Sequence, residues 1–146
     1  MSRRITKAEE ALKLENQLCF PLYAAARKVI NAYTPLLKPL SITYTQYIVF
    51  LVLWEKDGQT VGSIGKLLHL DNGTLTPLLK KMEAAQWITR HRSTEDERTV
   101  TIHLTEKGKQ LKTKAIDIPN EIGACFQLSP EDANFLYRIL YQILDD

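Results

Sequence analysis

The run Leu70-Asp71-Asn72-Gly73-Thr74-Leu75-Thr76-Pro77-Leu78-Leu79-Lys80-Lys81-Met82-Glu83, continued through Ile88 to Leu104, decides the fold, because a helical period gives way within it to a strand period. Leu75, Leu78, Leu79 and Met82 recur at the spacing of one helix face, and Ile88, Val100, Ile102 and Leu104 then alternate as residues of strands do. Asp71-Asn72-Gly73 supplies an N-cap signal. The other face of that helix carries Thr74, Thr76, Lys80 and Lys81, with no acid until Glu83. The strands bring Arg90, His91 and Arg92 beside a polar turn from Ser93 to Arg98. A polar-faced helix followed by a basic hairpin is the pattern of a winged helix-turn-helix.

Upstream, Val61 to Leu68 reads as a short helix ending a few residues before Asp71, which is helix-turn-helix spacing. Thr43-Tyr44-Thr45-Gln46 is a capping box, and the run Tyr47 to Trp54 behind it is apolar nearly all round, as in a helix buried at the centre of a small domain; Asp57-Gly58 ends it. Thr6-Lys7-Ala8-Glu9 is another capping box, opening a helical pattern that extends to about Tyr33. Pro21 must kink or restart that helix, leaving Cys19 beside the defect, and Pro35 and Pro39 are expected to close it. Downstream, Thr105 caps a helix that meets Pro119, and Ser129-Pro130-Glu131-Asp132 starts a last one with the apolar stripe Leu136, Ile139, Leu140, Ile143 and Leu144.

The expected architecture is mainly α: one domain over 1–146, with a winged helix-turn-helix at about 41–104 and dimerisation helices at about 6–40 and 105–146. Those flanks carry more apolar surface than so small a domain can cover. Two-fold pairing would cover it and would place two recognition helices roughly 34 Å apart, matching successive major grooves.

With 146 residues, 45% of them hydrophobic and 25% charged, the composition is that of an ordinary globular domain. No apolar run reaches the roughly 20 residues of a membrane span, and Met1 to Glu15 is charged where a signal peptide would be apolar, so a cytoplasmic protein without membrane association is expected. A net charge of +2 does not by itself announce nucleic-acid binding; the basic stretch from Lys80 to Arg98 does so locally. Cys19 and Cys125 are expected as thiols, and with His69, His91 and His103 they match no zinc spacing, so no metal or cofactor is assigned.

Lys80 and Lys81 alone would suit any solvated helix face, but Arg90, Arg92 and Arg98 on the adjoining hairpin make a phosphate-contacting surface the better reading. Thr74 and Thr76 are candidates for base edges or phosphates, and Pro77 offers an apolar face to a thymine methyl. The acidic turn Glu95-Asp96-Glu97 is either plain solvated loop or a device in which Asp96 pairs with Arg98 and aims its guanidinium into a narrow minor groove.

Cys19 is either a small packed hydrophobe or a reactive thiol, activated if the Pro21 break puts it in a helix's first turn. Asn16 and Gln17 are polar neighbours, and Tyr23, four residues on, can share its face. Tyr33 lies about 21 Å further along a continuous helix and cannot reach Cys19 in the same chain unless the break folds the chain back; a partner chain could bring it there. Each tyrosine, and Cys125 in Ile122-Gly123-Ala124-Cys125-Phe126, is otherwise accounted for by packing. No catalytic triad, phosphate loop or carboxylate pair supports conventional enzyme chemistry.

Four segments together resemble the organic-hydroperoxide-sensing repressors of the MarR family: Leu14-Glu15-Asn16-Gln17-Leu18-Cys19-Phe20, Ile42-Thr43-Tyr44-Thr45-Gln46-Tyr47, Leu70 through Glu83, and Asp96-Glu97-Arg98. The resemblance spans about Leu14 to Asp117 and implies a homodimeric winged-helix repressor. In its reduced form it would bind a pseudo-palindromic double-stranded operator, leaving it when Cys19 is oxidised by an organic hydroperoxide. It further implies that Tyr33 and Tyr44 of the partner chain hydrogen-bond the Cys19 thiolate, and that Cys125 stands near where a resolving cysteine is expected. Other functions stay open. A thiol peroxidase would leave the basic wing without purpose, a regulator released by a small aromatic ligand would survive Cys19→Ser, and an architectural DNA protein would show no operator preference.

Overall fold

The computed structural model describes residues 6–145; the segment beginning at Met1 and the terminal Asp146 lie outside the described residues. Helix α1 (Lys7–Ala11) is only five residues long, although the Thr6 capping box forms, with Glu9 N–H donating to Thr6 Oγ1 at 3.2 Å. The helical pattern therefore stops well before Pro21. Asn16 Nδ2 and Gln17 Nε2 reach back to the carbonyls of Glu10 and Ala11 at 2.8 and 2.6 Å, sealing the end of α1 instead of facing Cys19.

After a 3-10 turn (Leu14–Asn16), helix α2 (Cys19–Leu37) restarts the chain with Pro21 in its first turn, where an amide N–H would have no intrahelical partner. Pro35 does not close α2. It lies inside the helix, which runs to Leu37, because Leu37 is driven into the core at 1% exposure and holds the last turn. Pro39 sits in the following 3-10 turn (Lys38–Leu40), and Ser41 at φ 59° turns the chain away.

Helix α3 (Tyr44–Glu55), opened by the Thr43 capping box, is the hub: it packs on α2 and on α4 (Val61–Leu68), α5 (Asn72–Ala84) and α6 (Glu106–Ala115). Val49, Phe50 and Leu53 on α3, Ile64 on α4, and Leu75, Leu79 and Met82 on α5 are buried together with Ile88 and Ile102 of the wing. That helical and strand alternation is the one the sequence displays. Between α4 and α5, His69 adopts φ 52° and Leu70 N–H bonds back to the Gly65 carbonyl at 2.9 Å; a side-chain carbon at Gly65 would come within 2.8 Å of Leu70 O.

The wing is a three-stranded antiparallel sheet in the order β1 (Gln59–Thr60), β3 (Val100–Leu104), β2 (Ile88–Arg92). The two-residue β1, paired through Gln59 opposite Ile102, is too short to show a strand period and is absent from the sequence-based expectation. Helix α6 locks wing to core. Thr105 caps it and donates to Gln86 O at 2.6 Å, Trp54 Nε1 donates to Gly108 O at 3.0 Å, and a methyl at Gly108 would meet Trp87 O at 2.2 Å. The rings of Tyr47, Trp54, Phe50 and Trp87 follow one another at 6.5, 5.1 and 5.7 Å between centroids.

Helices α7 (Ile118–Cys125) and α8 (Pro130–Asp145) follow, with Ser129 Oγ capping α8 through the Asp132 N–H at 3.1 Å. No residue of α8 is buried: Phe135 is 58% and Ile143 58% exposed, and at the other end Leu14 and Leu18 are 58% and 86% exposed. The surplus apolar surface foreseen for both flanks is present.

Candidate nucleic-acid interface and thiol site

Helix α5 presents its polar face beside the wing, and a concave surface of about 490 Å³ opens between them and the start of α4. Thr76, Lys80, Arg90, Arg92 and Arg98 line it, with Asn72 at the helix start. Five of the nine expected interface residues are thus brought together. Thr74, Pro77 and Lys81 are exposed elsewhere on α5, and Asp96 is exposed at the wing tip. The Thr74 hydroxyl is engaged by the helix cap, donating to Asp71 Oδ2 at 3.3 Å while its N–H donates to Oδ1 at 2.8 Å. Pro77 lies inside α5 and removes the hydrogen bond that the Gly73 carbonyl would otherwise accept.

Three side-chain contacts set the wing's form. Arg90 Nε bonds Glu83 Oε2 at 2.7 Å, and the Arg90 N–H reaches Glu83 Oε1 at 3.3 Å. The Arg90 side chain holds the Glu83 carboxyl below its ordinary pKa by hydrogen bonding and charge. Arg92 Nη1 donates to the Glu97 carbonyl, closing the turn. Asp96 does not form the ion pair that is one of the two readings of this turn: its Oδ1 accepts the Arg98 main-chain N–H at 3.0 Å and its Oδ2 the Thr99 hydroxyl at 3.3 Å, and among the described residues it makes no ion pair with the Arg98 guanidinium. A carboxylate this close in sequence folds onto the turn's own amides first. The acidic turn is therefore ordered, with the Arg98 side chain exposed.

Cys19 is the first residue of α2 and its thiol is exposed. Tyr33 is on the same unbroken helix, so the fold-back that would unite it with Cys19 in one chain does not occur. Tyr33 packs instead on Tyr44 of α3, with ring centroids 4.8 Å apart, and on Tyr47 at 5.6 Å. Burial pushes the hydroxyl pKa of all three upward, and mutual proximity adds to this for Tyr33 and Tyr47. Tyr47 is the member that sequence inspection misses; its place three residues after Tyr44, on one helix face, was the available signal. Tyr23 faces solvent at 60% exposure under the Arg27 guanidinium. Cys125 ends α7, exposed, with its thiol donating to Glu121 O at 3.4 Å. Among the described residues no group of three or more His, Cys, Asp or Glu is placed to hold a metal ion, and no single helix is long and apolar enough to cross a membrane.

Residues 31–115, which hold the tyrosine cluster and the whole helix-turn-helix and wing, match the family model for the transcriptional regulator SarA/Rot. The chain belongs to that family of transcriptional regulators. It is 53% identical over 134 residues to the organic hydroperoxide resistance transcriptional regulator of Bacillus subtilis, covering 92% of this chain and 91% of that one. Among solved structures it resembles reduced AbfR bound to DNA, with a TM-score of 0.78 at 37% identity over 94% of this chain and 96% of that chain. Disulfide-formed AbfR superposes less closely, with a TM-score of 0.65 at 38% identity, over 94% of this chain and 96% of that chain; the protein so named is from Staphylococcus epidermidis. The fold is the winged helix of MarR-type regulators, and the resemblance to their organic-hydroperoxide branch stands.

Proposed function

We propose that this protein is a DNA-binding transcriptional repressor that senses organic hydroperoxides at Cys19 and then releases its operator. The observation that carries it is the joint presence, in one chain, of a basic winged-helix concavity and an exposed thiol on the first turn of a helix. Lys80, Lys81 and Arg92 contact phosphates, with Arg90 at the base of the wing; Thr74, Thr76 and Pro77 lie toward the base edges; Arg98, on a turn ordered by Asp96, enters the minor groove.

The functional unit is a homodimer in which α1, α2, α7 and α8 of two chains cover each other's exposed apolar faces, leaving residues 41–104 to bind DNA. Across that interface Tyr33 and Tyr44 of one protomer donate hydrogen bonds to the Cys19 thiolate of the other. The hydroperoxide transfers its terminal oxygen to that thiolate, giving sulfenic acid and the alcohol after proton uptake. A second thiol then displaces hydroxide, yielding a disulfide and water. Cys125 of the partner is the proposed second thiol. Sulfurs in a disulfide lie about 2 Å apart, so bond formation moves the flanking helices and with them the recognition-helix spacing. The oxidation is stoichiometric, a switch and not enzymatic turnover.

Intact mass before and after one equivalent of cumene hydroperoxide, paired with gel mobility of a duplex enriched by the reduced protein, tests this. Wild type should gain the oxidised mass and release the duplex, and Cys19→Ser should do neither. Release that persists in Cys19→Ser would assign the effect to a different effector.

A further inference from the structure

We propose that Glu83 is a positioning and specificity-determining residue: it ties strand β2 of the wing to the recognition helix and cancels the charge of Arg90, so that Arg90 braces the wing without adding to phosphate attraction. This rests on the DNA-binding function proposed above.

Glu83 lies at the end of α5 and spends both carboxylate oxygens on one residue of β2, taking the Nε proton of Arg90 at 2.7 Å and its main-chain N–H at 3.3 Å. One side chain thus fixes both the guanidinium and the backbone of the strand where β2 leaves the helix. No other Lys, Arg, Asp or Glu side chain of the described residues lies in ion-pair distance of either group. Arg90 also lines the concavity with Lys80, Arg92 and Arg98, where a free guanidinium would meet the duplex. Paired charges of opposite sign nearly cancel at a phosphate several ångströms away, so the pair displaces few counterions. The remaining cations of the concavity, Lys80, Arg92 and Arg98, have no ion-pair partner among the described residues.

The pair is partly open to solvent, with the Arg90 and Glu83 side chains 30% and 37% exposed, so breaking it leaves no buried charge. Its consequence falls on DNA binding. Without Glu83, Arg90 becomes an ordinary sequence-independent phosphate contact and the angle between wing and α5 is less constrained. Unselected DNA gains, and the selected site loses its advantage.

The test uses the full-length reduced protein and two fluorescent duplexes of equal length, one enriched by wild type from a random pool and one unselected, titrated by anisotropy across a salt series. Glu83→Gln should steepen the slope of log affinity against log salt by about 0.9 for each protomer. It should also tighten binding to the unselected duplex and lower the ratio of selected to unselected affinity. The double variant Glu83→Gln/Arg90→Gln removes equal and opposite charges together and should keep the wild-type slope. A double-variant slope flattened by about 0.9 per protomer would make Arg90 a phosphate contact in the wild type and overturn the proposal. So would a Glu83→Gln protein identical to wild type in slope and ratio. A wild type that enriches no duplex at all would instead overturn the DNA-binding function itself.

Discussion

Tyr33 of α2 and Tyr44 of α3 hold their rings 4.8 Å apart, with a hydroxyl pKa that burial raises in both. Both hydroxyls therefore stay protonated through and beyond the neutral range and remain able to donate to a thiolate. Tyr33→Phe and Tyr44→Phe should each slow Cys19 oxidation by an organic hydroperoxide, with reduced-state DNA binding nearly unchanged. Stopped-flow oxidation rates check this; a wild-type rate in both variants would leave these rings as packing alone.

The same tyrosines set an alkaline limit on stability. Their folded pKa lies above the ordinary value of about 10, so folding favours the neutral phenol; that stabilisation is complete below about pH 10 and is lost as pH rises through the raised folded value. Ultraviolet titration should show a late tyrosinate component that Tyr33→Phe, Tyr44→Phe and Tyr47→Phe each diminish. Melting temperature should fall over that alkaline range.

Gly108 and Gly62 should answer the same substitution with opposite signs. A methyl at Gly108 meets Trp87 O at 2.2 Å and Leu104 Cδ2 at 3.1 Å, whereas at Gly62 nothing lies within 4 Å. Gly108→Ala should cost about 1–3 kcal/mol as an overpacked contact. Gly62→Ala should stabilise by up to about 0.5 kcal/mol through helix propensity. Chemical denaturation midpoints read both.

Arg98→Ala should weaken DNA binding, and more for operators with A·T flanks than with G·C flanks, because a narrow minor groove rewards an inserted guanidinium. Asp96→Ala should reproduce part of that loss, since Asp96 orders the turn through the Arg98 N–H and the Thr99 hydroxyl. Equal losses on both flank types would reduce the wing tip to a solvated loop.

Cys125 should decide how the switch closes. If it resolves the Cys19 sulfenic acid across the dimer, oxidised wild type runs as a covalent dimer on non-reducing gels. Cys125→Ser then stays monomeric there and accumulates sulfenic or over-oxidised Cys19. A covalent dimer from Cys125→Ser, or none from wild type at modest peroxide, would assign resolution to an external thiol.

Much of this molecule is legible before folding because its signals are local. The caps at Thr6, Thr43, Asp71, Thr105 and Ser129 all form, since a side chain reaching an amide three residues on needs no tertiary information. The helix-turn-helix and its hairpin follow from the alternation of buried residues between Leu75 and Leu104. What escaped depends on distant partners. Pro35 stays within α2 because Leu37 is anchored in the core, and β1 exists only because β3 pairs with it. Within the site, Lys80, Arg92 and Arg98 were visible as charges, but that Glu83 would turn back on Arg90 required knowing how β2 leaves α5. Of the two readings open for the acidic turn, pairing of Asp96 with the Arg98 guanidinium gives way to the nearer Arg98 N–H and Thr99 hydroxyl.

The chain of rings from Tyr47 through Trp54 and Phe50 to Trp87 includes both tryptophans of the sequence. Its tryptophan emission therefore arises from one place in the fold, bounded at one end by Tyr47 and at the other by the root of the wing. The protein carries its own optical probe between Tyr47 of α3 and Trp87, just before the start of β2. Unlabelled protein should suffice to follow the switch in real time.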